Sequence, residues 1–453
     1  MWQSTSRKLW QLFGKLGPVF ALVLVIVIFG WEKPELFFSF QNVSNVIGQT
    51  TVIAIAAIGM TFVIVSAGID LSVGSVVALA GVYATMVMSA DYLGWGLWYG
   101  LLAGLLTGAV CGWINGVVIT KGKLAPFIVT LGMMEIVRGL ALHSVGGLPV
   151  TNIPSQFGNI ANSVMEIPLK VSVEFSEEEL NMKALSNRIK SGHDPLAVHL
   201  RNSLSPETLQ QIEAWNSTAE VPEKIQTGLT DDFNKIIRQD LLYTPERFEG
   251  IVLSSGVQDS VVQNLQGSDL IHLNRLLLEE AYPNFIAKGD KILLLPYSLF
   301  ILIPLALVSA FILRYTVFGV QVYAVGSNER TARLCGVNVE RVKVFVYMIG
   351  GFTAGLAGIL HASRLNTGQP AEAIGMELEV IAAVVIGGGS FMGGEGTIFG
   401  SVIGAFIIKF LRNGCNILGI SSFVQRIVIG LIIIAAVYVD QLRRRSLEGS
   451  KGQ

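Results

Sequence analysis

Residues 68–75 read GIDLSVGS, and they interrupt an otherwise apolar stretch of chain. The run 43–69 precedes Asp70 and the run 71–90 follows it, each long enough to cross a bilayer. Asp70 therefore lies in or beside a membrane, where an ionisable side chain is costly and marks a functional site by default. The glycines and serines around it permit a helix break and bring hydroxyls to where a solute could be held.

The rest of the sequence agrees with a membrane setting. Of 453 residues, 51% are hydrophobic and 14% charged, whereas a soluble domain carries about a quarter charged residues. Apolar runs cover 16–31, 43–69, 71–90, 92–120, 124–146, 292–313, 344–360, 380–392, 396–408 and 427–439. They predict an all-α polytopic membrane protein of about ten transmembrane helices. The run 124–146 contains Glu135 and Arg138, which stand three apart and can pair on one helix face. The last runs are short and interrupted by glycine, as in segments that line a transport path. Cys111, Cys335 and Cys415 are too few for a disulfide framework and read as packing residues. The first run is followed by Trp31-Glu32-Lys33-Pro34 rather than a small-residue cleavage site, so it reads as a retained first helix.

Lysine and arginine set the orientation. Arg7, Lys8 and Lys15 precede the first run; Lys121 and Lys123 lie between the fourth and fifth; Arg314, Arg330, Arg333, Arg341 and Lys343 lie between the sixth and seventh; Arg443, Arg444 and Arg445 follow the last. Ten spans place all four segments on one side, the cytoplasm, with both termini inside. By this count the Asp70 break falls near the outer face or within the bilayer.

Residues 155–290 change character, with no apolar run of membrane length. From Glu166 to Lys291 there are 20 acidic and 12 basic residues. The predicted organisation is thus an N-terminal transmembrane part, 1–154, an inserted soluble extracytoplasmic domain, 155–290, and a C-terminal transmembrane part, 291–453. The insert reads as a small helical domain. Ser176-Glu177-Glu178-Glu179 is a capping-box pattern, and Ser205-Pro206-Glu207 and Thr244-Pro245-Glu246 each offer an N-cap, a proline at N1 and an acid near the helix dipole. Ser268-Asp269 opens a leucine-rich run. His193, Asp194 and His199 fit no zinc spacing, and Asn216-Ser217-Thr218 matches a glycosylation sequon of a kind common by chance.

No GxxxxGK[ST] phosphate loop is present: Gly14-Lys15 and Gly122-Lys123 are each followed by leucine. No metalloprotease, kinase or nucleophile-elbow pattern occurs either. The chain reads as a non-enzyme that binds no cofactor or metal. Two stretches stand out besides Asp70. Residues 326–343, GSNERTARLCGVNVERVK, allow a short helix over 329–334 ended by Gly336, suited either to docking a soluble motor or to an ordinary basic inner loop. Residues 368–400 hold Glu377 and Glu379 ahead of an apolar run and glycines around Ser390, suited to close packing or to an unwound backbone. This region parallels that of Asp70, and Asn115-Gly116 followed by Phe127 echoes Asn413-Gly414 followed by Phe423, the trace of an internal repeat.

At these residues the chain resembles the membrane permeases of bacterial sugar ABC importers, the family of the ribose, xylose, arabinose and galactoside permeases, and most of all the ribose permeases. The matching stretches are GMTFVIVSAGIDLSVGSVVALAG (59–81), NGVVITKGKLAPFIVTLGMMEIVRGLAL (115–142), YAVGSNERTARLCGVNVERVKVFVY (323–347), ELEVIAAVVIGGGSFMGGEGTIFGSVIGAF (377–406) and NGCNILGISSFVQRIVIGLIIIAAVYVD (413–440). They span nearly everything outside 155–290. The chain departs from the family in its large insert, in Gly375-Met376-Glu377-Leu378-Glu379 where members often have Gly-Tyr-Glu-Leu-Asp, and in Gly388-Gly389-Ser390 where they often have Gly-Gly-Thr-Ser.

The resemblance implies an inner-membrane permease homodimer, a cytoplasmic ATPase that holds the ATP, and an extracytoplasmic solute-binding protein. The surroundings are membrane lipid, and no nucleic-acid partner is expected. It favours Gly326, Asn328, Glu329, Ala332, Arg333 and Gly336 as the ATPase-coupling loop. Asp70, Ser72, Ser75, Asn115, Gln369, Glu377 and Glu379 are the candidates for the translocation path of a monosaccharide or similar polar solute, with Asp70 alternatively paired to a basic residue that fixes the break. Two other readings stay open at this stage: a secondary transporter or channel driven by an ion gradient, and an envelope interaction protein working through the insert.

Overall fold

A computed structural model describes residues 2–168, 204–215, 222, 224–225, 227–228 and 292–448. The chain divides into two compact units, Met1–Glu166 with Leu294–Gln453, and Ile167–Leu293.

The first unit is a bundle of apolar helices. In chain order these are α1 (Trp2–Glu32), α2 (Pro34–Phe37), α3 (Phe40–Val65), α4 (Val73–Met88), α5 (Leu97–Lys121), α6 (Pro126–Ser144) and α7 (Ser155–Asn162). After the second unit, which holds α8 (Pro206–Ala214), come α9 (Ser298–Tyr315), α10 (Val317–Ser327), α11 (Glu329–Leu334), α12 (Val339–Leu365), α13 (Met376–Ile386), α14 (Ile398–Ile417) and α15 (Ser422–Glu448). Among the described residues six helices are long and apolar enough to cross a membrane, within α3, α5, α6, α9, α12 and α14, and shorter apolar helices occur within α1, α4, α10 and α15. The protein is a largely α-helical polytopic membrane protein.

α3 occupies the centre. Every residue from Val52 to Val65 is buried, Thr61 included; a helix apolar on nearly all sides is an interior helix. α12, α13, α14 and α9 pack on it. α12 also packs along α4 and α5, and the α5 contact is made by backbone. Gly104, Gly108 and Gly112 on α5 meet Ile359, Gly355 and Gly351 on α12 so closely that a Cβ on Gly108 would run into the Gly351 carbonyl. Small residues four apart let membrane helices approach without a hydrophobic driving force between them.

Local chemistry sets the helix starts. Ser39, Thr316, Asn338 and Thr397 each accept a hydrogen bond from the backbone N–H three residues on, at the heads of α3, α10, α12 and α14. α12 ends on Asn366 in the left-handed conformation (φ 51°).

Three sequence expectations change. Residues 292–296 are not the start of a span: β2 (Ile292–Pro296) pairs with β1 (Val164–Pro168) in a two-stranded sheet, so the chain is not strictly all-α, and Pro296 marks the point where α9 takes over. The run 380–392 yields only the eleven residues of α13, because glycines from Gly387 onward end it. Residues 155–166 travel with the membrane helices: the Ser363 hydroxyl of α12 donates to the Phe157 carbonyl at 2.6 Å, and Asn162 Nδ2 donates to the Ser363 and Arg364 carbonyls at 3.2 Å.

In the second unit α8 starts as its sequence predicts, with Ser205 accepting from Thr208 N, Pro206 at N1 and Glu207 in the first turn. Leu204, Ile212 and Trp215 are buried. The helix starts expected at Ser176, Thr244 and Ser268, the His193, Asp194 and His199 group and the Asn216 sequon lie outside the described residues.

Candidate functional site

α3 stops at Val65, and the chain turns through Ala67, which holds a positive φ of 59°. Asp70 Oδ1 then accepts from Ser72 N at 2.8 Å and from Ser72 Oγ at 2.6 Å. This side-chain turn starts α4 and satisfies backbone groups that a break leaves open. Neighbouring helices fasten the break. Asn115 Nδ2 of α5 donates to Ser72 Oγ at 3.0 Å, and the Ile69 carbonyl accepts from Tyr347 Oη of α12 and Thr130 Oγ1 of α6, each at 3.3 Å.

Asp70, Ser72, Ser75 and Asn115 are all buried, Asp70 at 2% exposure. Among the described residues no cation pairs with Asp70, so the basic partner considered for it is replaced by the two bonds from Ser72. Asn115, Thr130 and Tyr347 lie towards the end of the bundle that carries the α5–α6 turn and the head of α12. The break thus belongs to the end of the bundle bearing residues 326–343 and not to the opposite end.

The second polar intrusion, between α12 and α13, is a folded-back segment rather than a simple loop. Gly368 pairs with Val150 through two backbone bonds, 2.8 and 3.0 Å, and packs on Val82 and Thr85 of α4. Ala373 and Gly375 take positive φ before α13 begins. Arg138 of α6 reaches this segment: its Nη1 donates to the Pro370 carbonyl at 2.8 Å and to the Glu372 carbonyl at 2.7 Å. The expected pairing with Glu135 does not form among the described residues. His361 of α12 stands 3.6 Å from the Glu372 carboxylate.

The first turns of α4 and α13 come together here, the Glu377 carboxylate lying against Gly74 where a Cβ would be. The residues just before α4 and those that open α13 share a pattern, Gly68-Ile69-Asp70-Leu71-Ser72-Val73 and Gly375-Met376-Glu377-Leu378-Glu379-Val380. Asn115 and Phe127 stand on the next two helices, α5 and α6; Asn413 and Phe423 stand on α14 and α15. The repeat legible in the sequence therefore matches the order of the helices.

The structure sorts the seven path candidates. Asp70, Ser72 and Asn115 are bound to one another, and Ser75 is buried in α4. Glu379 is buried and tied to α14, 3.2 Å from Lys409 Nζ and 2.6 Å from Arg412 Nη1. Gln369 and Glu377 differ: both are half-buried, and neither side chain has a hydrogen bond or ion pair among the described residues. Arg138, Lys409 and Arg412 are not among the path candidates that the sequence offers. Arg138 is visible there as a charge inside an apolar run, but its acceptors are more than two hundred residues away.

The 326–343 stretch forms α11 and the head of α12. Gly326 is buried at the end of α10. Asn328 caps α11 by accepting from Thr331 N at 2.9 Å. Glu329 pairs with Lys343 at 2.6 Å and with Arg333 at 3.6 Å, and Arg333 also pairs with Glu340 at 3.0 Å. Ala332 faces inward, and Gly336, at φ 84°, ends the turn. α11 is thereby fixed to the head of α12 while Leu334 stands 82% exposed.

The family described as branched-chain amino acid transport system / permease component matches residues 42–177 and 224–437. The ribose import permease protein of Haemophilus influenzae is 30% identical over 421 residues, 93% of this chain and 91% of that protein. The xylose transport system permease protein of Escherichia coli K12 is 30% identical over 425 residues, 94% of this chain and 91% of that protein. The ribose import permease protein of Escherichia coli K12 is 30% identical over 424 residues, 94% and 92% of the two chains. No solved structure matches the chain. The chain belongs to the family of branched-chain amino acid transport system permease components, and it is the non-catalytic membrane permease of an ABC-type importer that acts with a separate ATPase.

Proposed function

We propose that this permease moves a monosaccharide across a bacterial inner membrane. The family description names amino acids, but the relatives matched along nearly the whole chain are named for ribose and xylose. The observation that carries the path is Glu377, half-buried and without a hydrogen bond or ion pair among the described residues where the first turns of α4 and α13 meet, with Gln369, also half-buried, earlier in the same segment. A carboxylate and an amide can accept from and donate to the hydroxyls of a passing sugar. Contacts so few are weak, which suits release. Paired, discontinuous helix starts are a recurring setting for such contacts.

Ten spans follow if α1, α3, α4, α5, α6, α9, α12, α13, α14 and α15 cross and α10 leads into the inner loop. That arrangement puts both termini and α11 in the cytoplasm and residues 167–293 outside. The acidic outer unit then stands on the side where a solute-binding protein delivers cargo, and we assign it to that encounter. Two permease chains form the pathway, and α11 is the contact for the ATPase.

Uptake of labelled ribose and xylose into vesicles holding the permease, its ATPase and its binding protein tests the reading. ATP-dependent uptake of a pentose is expected, and Glu377→Gln is expected to reduce it at least tenfold with the permease still folded. Uptake that survives without ATPase but collapses with an ion gradient would overturn it.

A further inference from the structure

Three pieces of chain meet at one point of the membrane bundle, with backbone directly against backbone at Val65, Gly326 and Gly394. The first is the carboxyl end of α3, at Val65. The second is the end of α10, at Gly326. The third is the glycine-rich segment between α13 and α14. Gly394 N donates to the Val65 carbonyl at 2.8 Å. Gly326 sits against the same carbonyl: a Cβ there would strike Val65 O and stand 2.7 Å from Gly394 N. Gly393, at φ 78°, faces Ala67 and the Gly326 carbonyl, a Cβ there lying 2.6 Å from each. Gly394, at φ 74°, backs onto Ser327. Tyr323 Oη of α10 donates to the Gly396 carbonyl at 2.7 Å, and Thr61 of α3 bonds Ser401 of α14 at 2.7 Å.

The connections leaving this point give it meaning. Ala67 and Gly68 follow Val65 closely and lead into the Asp70 turn. Gly326 is followed by Ser327 and by Asn328, the cap of α11. The glycine segment leads back to α13, whose first turn carries Glu377. The exposed helix α11 and the Asp70 turn are thus joined at one contact of close-packed backbone, and α13 runs from that contact to the turn that carries Glu377. Backbone contacts of this kind have no rotamers through which a displacement can dissipate, and packed interiors transmit strain.

We infer that Gly326 and Gly394 are positioning residues of the transport cycle, seating α10 and the α13–α14 segment on the end of α3 so that a movement of α11 reaches both helix starts. This rests on α11 being the ATPase contact. The two glycines touch neither solute nor nucleotide; they act through Val65.

The test uses the complete importer in vesicles, with ATP hydrolysis and solute uptake measured on the same preparation. Gly394→Ala is expected to keep the ATPase bound and hydrolysing while the solute moved per ATP falls at least tenfold, and Gly326→Ala, beside the α11 cap, is expected to lower the same ratio whatever it does to ATPase binding. A ratio equal to that of the unaltered protein in both variants overturns the inference, as does an equal loss of hydrolysis and uptake. If either alanine variant fails to reach the membrane, Tyr323→Phe decides. It removes only the bond to Gly396, and an unaltered ratio there overturns the inference while a two- to fivefold fall supports it. Whether α11 binds the ATPase at all is read separately, by co-purification, so a failure of that premise is distinguishable from a failure of the joint.

Discussion

Arg138 holds Glu372 by its backbone: the guanidinium Nη1 donates to the Glu372 carbonyl at 2.7 Å and to the Pro370 carbonyl at 2.8 Å. A cation within an apolar helix needs such partners. Here it is spent on the segment that carries Gln369 and leads to Glu377. Lysine keeps the charge but loses the planar fork and the reach. Arg138→Lys is expected to raise the solute concentration for half-maximal uptake by about tenfold with maximal ATP hydrolysis intact, since a charged hydrogen bond contributes about 1.5–3 kcal/mol. Arg138→Gln is expected to do so more severely. Kinetics of uptake against solute concentration check both, and a fall in maximal rate alone would place Arg138 outside solute handling.

Asp70 accepts from the Ser72 N–H and hydroxyl, and both bonds need an acceptor rather than a charge. Asp70→Asn presents the same oxygen and should leave folding and uptake near their starting values. Asp70→Ala leaves the buried Ser72 donors unsatisfied, a cost of about 1–3 kcal/mol. Thermal unfolding of the detergent-solubilised permease should separate the two variants. Loss of uptake in a well-folded Asp70→Asn protein would assign Asp70 to the path instead.

Much of the membrane architecture is legible in hydropathy, because lipid demands long apolar runs whatever the tertiary fold. The run 43–69 becomes α3 at Phe40–Val65 with little change. The short helix at 329–334 is also legible, because Asn328 and Gly336 act locally. What local patterns cannot convey is which distant group satisfies a buried charge. Glu135 is the near neighbour of Arg138 in sequence, yet the carbonyls that Arg138 uses belong to another element. Glu379 and Glu377 look alike two residues apart, yet only Glu379 faces the cations of α14. Nor does a glycine count reveal close approach: Gly326 reads as a loop residue until the carbonyl of Val65 is placed against it.

That difference between Glu377 and Glu379 is itself testable. Glu379 compensates Lys409 and Arg412, at 3.2 and 2.6 Å, in a buried setting. Removing one member of a buried ion cluster leaves the others uncompensated, at about 3–5 kcal/mol. Glu379→Gln should therefore lower the unfolding temperature sharply and deplete the permease from the membrane. Glu377→Gln should leave unfolding unchanged and act on uptake. A double-mutant cycle of Glu379→Gln with Lys409→Met should show coupling of at least about 1 kcal/mol. Additive effects would mean the three side chains do not act together.

The ion pairs of α11 and its exposed leucine should behave in opposite ways. Arg333 is more than half exposed in both of its pairs. Exposed pairs contribute about 0–1 kcal/mol each, so Arg333→Gln is expected to leave permease unfolding nearly unchanged. Leu334 is 82% exposed and buries almost nothing within the chain, so Leu334→Asp should not weaken the fold either. If α11 is the surface the ATPase covers, however, that substitution places a charge in the desolvated centre of a contact, where single side chains carry about 2 kcal/mol or more. Co-purification of the ATPase with Leu334→Asp should then fall by about thirtyfold, while Arg333→Gln retains it within a few-fold. Equal recovery of the ATPase with Leu334→Asp and with the unaltered chain would remove α11 from the interface.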